Sequence, residues 1–146
     1  MNLTGPLGDI AHVIQLAIAP VFLLTAVATI LNVLTGRLAR SVDRRRSLAA
    51  ALPRLEGDTA ELARREVEFE VRRIGLIYRA ITLAVLCALL VAGLISIAFI
   101  DAFLAWDLRK LIALLFVLAM LALMASLGIF LREIFLSVNS PRAPVL

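Results

Sequence analysis

Charged residues are absent from three long stretches of the chain: between Asp9 and Arg37, between Arg79 and Asp101, and between Lys110 and Arg132. A bilayer core about 30 Å thick is crossed by roughly 20 helical residues, and each gap supplies that number. The pattern predicts three transmembrane helices, at about 10–35, 78–101 and 111–132. The fold class expected is all-α and integral to the membrane.

The segment between the first two spans keeps a helical period. Leu31, Leu34, Leu38, Ser41/Val42, Arg45, Leu48 and Leu52 step by three or four, so one stripe stays largely apolar beyond the first arginines. The first helix is therefore expected to continue to about Leu52. Pro53 cannot carry the helix on and Gly57 tolerates a turn conformation. Asp58, with Glu61 three residues later, reads as a capping box for a second helix. Along it Leu55, Leu62, Phe69, Leu76 and Leu83 recur every seven residues. Two such stripes around a turn at 53–58 predict an antiparallel coiled-coil hairpin over about 37–76, extending helices one and two. The chain is taken as a single membrane domain over 1–146.

At 100° per residue, Thr25, Thr29, Asn32, Gly36, Arg40, Asp43 and Ser47 share the face opposite the leucine stripe, with Gln15 toward its outer end. In water a polar face is simply solvated. Inside a bilayer it calls for a partner, because polar side chains seek each other or water rather than lipid. Thr25 and Thr29 have the simpler alternative of bonding their own helix, and Asn32 that of reaching headgroups. Pro20 frees a carbonyl one turn back, and His12, near the outer surface, titrates near neutrality. Ala88, Ala92 and Ser96, and likewise Ala122 and Ser126, are spaced four apart and favour close helix approach.

Composition agrees with lipid as the solvent: 62% of residues are hydrophobic and the mean hydropathy is +1.01. Residues 37–79 hold eleven arginines, residues 1–9 none, and Arg132 and Arg142 follow the third span. The positive-inside bias sets the N-terminus outside and the long loop and C-terminus in the cytoplasm. Phe103 and Trp106 suit the outer interface, Tyr78 and Arg79 the inner one. Ala17-Ile18-Ala19 resembles a signal-peptidase site. However, Asp9 precedes it without any Lys or Arg, and the apolar run continues beyond, so no cleavage is expected. Seven acids lie among the eleven arginines, which argues against nucleic-acid binding. Cys87 is one cysteine in mid-span, read as a small packing residue, and Met120 and Met124 read as packing too. With one His, one Cys, no nucleotide loop and no carboxylate within the spans, no enzyme, cofactor, metal site or proton-coupled transporter is expected.

Four stretches, "IAHVIQLAIAPVFLL", "NVLTGRLARSVDRRR", "LIYRAITLAVLCALLV" and "LLFVLAMLALMASLGIFLREIFL", resemble a bacterial family of small membrane proteins classed as a domain of unknown function. The resemblance covers nearly the whole chain and implies three membrane helices; it brings no activity, cofactor or site residues.

Two functions follow as expectations. In the first, the chain is a homo-oligomer whose first helices surround an ion-conducting axis. Gln15, Thr25, Thr29 and Asn32 line it, and Arg37, Arg40 and Arg44 form a cytoplasmic mouth with weak anion preference. In the second, the membrane part is a non-conducting anchor whose hairpin binds a cytoplasmic protein or anionic lipid.

Overall fold

The computed structural model describes residues 6–104 and 107–138, with the side chains at 6–13, 16, 17 and 102–104 excepted. The expectations placed on Asp9, His12, Phe103, Trp106 and Arg142 lie outside the described residues. Three helices account for nearly all of the rest: α1, Pro6–Ala51; α2, Gly57–Leu104; and α3, Arg109–Val138. Each contains a window apolar and long enough to cross a membrane, and no strand occurs among the described residues.

The first helix does not stop at the arginines. It runs unbroken through Pro20 and Gly36 to Ala51, then tightens into a single 3-10 turn, Leu52–Arg54, with Pro53 inside it. Leu55 is extended, its N–H bonded to the Leu52 carbonyl at 3.3 Å. Gly57 takes φ +59°, a left-handed conformation that a side chain would strain, and α2 begins there. Thr59 Oγ1 donates to the Glu56 carbonyl at 2.7 Å. Glu61, expected to reach back in a capping box, pairs forward with Arg65 at 3.1 Å.

The chain forms two compact units. The first comprises residues up to Leu31 together with Leu83–Met124. Its core is Val27, Ala84, Cys87, Val91, Leu94, Ala119, Ala122 and Leu123. Half of these are alanine or cysteine, so the backbones come close with little alkyl bulk between them. Cys87 is buried there as a free thiol. The Leu108 N–H, just before α3, is bonded to Asp101 Oδ1 at 3.2 Å, and the Leu108 carbonyl accepts from Ile112.

The second unit comprises Asn32–Thr82 and the chain from Ala125 on. Leu34, Ser41 and Leu48 are buried on α1, on the stripe the periodicity marks out. On α2 the buried face differs from the expected leucine heptad. Ala63, Glu66, Glu70, Ile77 and Ala80 are buried, while Leu62 is 42% exposed and Phe69 and Leu76 are half-buried. The seam is turned by one residue because carboxylates with basic partners occupy it, which a count of apolar positions does not register. The third helix also outruns its predicted end at 132, continuing to Val138.

Candidate functional site

The polar face of α1 can be followed position by position. Gln15, Thr25, Thr29 and Asn32 are all exposed, whereas Val27 and Leu34 between and beside them are fully buried. Thr25 Oγ1 donates to the Val21 carbonyl at 3.4 Å, and Thr29 Oγ1 to the Thr25 carbonyl at 3.0 Å. Both threonines therefore meet their donor requirement within α1. The Asn32 side-chain amide has no hydrogen bond among the described residues; its backbone carbonyl accepts from Thr35 Oγ1 at 3.1 Å.

The three arginines expected to act together are separated by their partners. Arg37 Nη2 donates to Glu133 Oε1 at 3.2 Å and lies 2.9 Å from Oε2. Arg44 bonds Glu66 at 2.7–2.8 Å. Arg40 is exposed and carries no ion pair among the described residues. Two of the three positive charges are thus neutralised within the chain.

Glu133 is the centre of a buried network. Its side chain is 1% exposed and receives Arg37 from α1 and Arg73 Nε from α2. Arg73 also reaches Glu70, one turn before it, at 3.3 Å. The guanidinium of Arg37 stacks over the Phe130 ring at 5.3 Å, an added cation–π contact. Two arginines and two carboxylates make the cluster neutral, the condition under which such groups tolerate burial. The pairing is incomplete: Arg37 Nε, Glu70 Oε2 and Ser41 Oγ are shut off from solvent without hydrogen-bond partners among the described residues. Two turns earlier on α3, Ser126 is fully buried and donates to the Ala80 carbonyl of α2 at 2.7 Å. Of the small-residue pairs, Ala122 and Ser126 are buried, whereas Ala92 and Ser96 are exposed, with Ser96 bonding Ala92 in its own helix.

Glu133, Glu66, Glu70 and Arg73 are absent from the sequence reading. Its third span ends at Arg132, so Glu133 falls just outside and is not weighed as a carboxylate near the bilayer. The available signal was that apolar residues resume at once, Ile134, Phe135 and Leu136, so the helix continues and the acid must be accommodated within it. Among the described residues no three of His, Cys, Asp and Glu gather as a metal-binding set.

Residues 17–143 match the family described as "Protein of unknown function (DUF2721)". The chain belongs to that family. The match takes in α1 from residue 17 on, all of α2 and α3, and the charged cluster, and carries no assigned activity. Among curated proteins and solved structures nothing matches the chain.

Proposed function

We propose that the chain is a multi-pass protein of the bacterial inner membrane that assembles as a homo-oligomer through the outward face of α1. The N-terminus lies outside, and the arginine-rich segment lies in the cytoplasm as an antiparallel helical hairpin. The observation that carries the reading is Asn32: an exposed amide without a bonding partner among the described residues, on the same face as exposed Thr25 and Thr29 at the end of an apolar run. Lipid does not satisfy an amide; a second copy of the same face, or water held between copies, does.

In its sharper form the assembly conducts ions along that face. The anion preference then rests on Arg40, because Arg37 and Arg44 are held by Glu133 and Glu66. The second reading is a non-conducting anchor for a cytoplasmic partner. The Arg44–Glu66 pair and buried Leu48 and Ala63 favour it by stiffening the hairpin into a docking arm.

Cysteine cross-linking in native membranes, in a Cys87→Ser background, tests the assembly. Thr29→Cys, on the exposed face, should give disulfide-linked dimers, and Val27→Cys, buried in its own protomer, should not. Equal yields from both, or none from Thr29→Cys, would remove the oligomer. Planar-bilayer recording separates the two readings: silence at both polarities with an intact oligomer leaves only the anchor.

A further inference from the structure

Four described glycines lie well inside helices, and three of them are followed one turn later by an arginine. Gly36 precedes Arg40 in α1, Gly75 precedes Arg79 in α2, and Gly128 precedes Arg132 in α3. The fourth, Gly93, has Ile97 at that distance. Each helix thus carries one glycine notch beside one guanidinium.

The three notches sit at a common height. Arg37 and Arg73 both contact Glu133, so these residues mark one level on the three helices. Gly36 is one residue from Arg37, Gly75 two from Arg73, and Gly128 five from Glu133. At 1.5 Å per residue all three glycines fall within roughly 8 Å of that level along the helix axes. Here the carboxylates are inside and the arginines outside. Glu70 and Glu133 are buried against Arg37 and Arg73, while Arg40, Arg79 and Arg132 are exposed with no carboxylate partner among the described residues.

The notches are open. A Cβ built at Gly75 or Gly128 would meet nothing within 4 Å, and at Gly36 the nearest atom is Arg40 Nη1 itself, at 3.8 Å. Around Gly128 the surface of α3 has a shallow, open depression lined by Gly128, Leu131, Arg132, Phe135 and Leu136. One guanidinium above an apolar wall complements a phosphate attached to an alkyl chain.

We infer that the three Gly-x-x-x-Arg notches seat the phosphates of anionic phospholipids, one on each helix, in the leaflet on the arginine-rich side. The inference rests on the membrane reading above but not on assembly or conduction. The guanidinium offers two parallel donors to phosphate oxygens, and the missing side chain lets the headgroup settle on the helix surface beside it. A zwitterionic lipid carries the same phosphate, but its ammonium group meets the repulsion of the arginine belt, so anionic lipid is preferred.

Native mass spectrometry of the full chain, released from nanodiscs of equal phosphatidylglycerol and phosphatidylcholine, tests this. The wild type should retain up to three phosphatidylglycerol molecules per subunit in preference to phosphatidylcholine. Each of Arg40→Gln, Arg79→Gln and Arg132→Gln should lower that preference about fivefold, the attraction of one arginine to an anionic surface. Gly128→Leu, which fills a notch without altering charge, should remove one lipid, and the joint Arg45→Gln, Arg46→Gln change should remove none. The proposal is overturned if the wild type shows no preference, if Gly128→Leu retains the full complement, or if the Arg45/Arg46 variant loses as much as the notch variants. The same spectra count subunits, so loss of lipid and loss of assembly are read apart.

Discussion

The two units of the chain are held by opposite means. Every buried residue of the first among the described residues, from Pro20 to Leu123, is apolar, and most of those on α2 and α3 are small. Among the described residues the five buried polar or charged ones, Ser41, Glu66, Glu70, Ser126 and Glu133, all belong to the second. Alkyl packing between helices gains little over contact with lipid tails, so the first unit depends on close approach of backbones. It also tolerates sliding, since one alanine resembles the next. An ion-paired seam does not: a shift of α3 by one residue would carry Glu133 away from both arginines. The second unit thus sets the register of the three helices there, and the first supplies area.

Four substitutions would break or sharpen that contrast. The largest effect is expected from Glu133→Ala, which leaves Arg37 and Arg73 facing each other without their shared acid. Removing one side of a buried pair costs about 3–5 kcal/mol. Hydrogen exchange should rise along residues 125–138 and along α1 near Arg37. Exchange rising only in 83–124 would defeat the assignment of register to the second unit. Next, Ala84→Leu forces extra methylenes into the first unit's core, costing about 1–3 kcal/mol in thermal unfolding in detergent. A neutral result would mean that this core is loosely packed. Ser126→Ala removes the hydroxyl bond to the Ala80 carbonyl and should cost about 1 kcal/mol, within the range for interhelical bonds in membranes; the same titration of stability reads it. The fourth concerns Ser41 and is taken up below.

Much of the architecture was legible because it depends on what water and lipid each exclude. Three charge-free gaps meant three helices, and the leucines spaced beyond Arg37 meant that α1 would not end at the arginines. Pro53 and Gly57 punctuate the chain where the helices break. The buried face of α2 was not legible. The rule behind the Leu62, Phe69 and Leu76 heptad assigns charges to solvent, and Glu66 and Arg73 are exceptions created by partners distant in sequence: Arg44 lies 22 residues from Glu66, and Glu133 lies 60 from Arg73, which in turn holds Glu70 one turn away. Arg37 and Arg44 were assigned to an open mouth for the same reason. A single helix viewed end-on shows which side chains share a face, but not which of them will be claimed by a neighbour.

The lone hydroxyl of Ser41 has a practical corollary. It is shut off from solvent and makes no bond among the described residues. Ser41→Ala should therefore tighten the protein, by about 1 kcal/mol, raising its melting temperature rather than lowering it. A fall would reveal a trapped solvent molecule resting on that oxygen, and would turn an apparent flaw into a cornerstone.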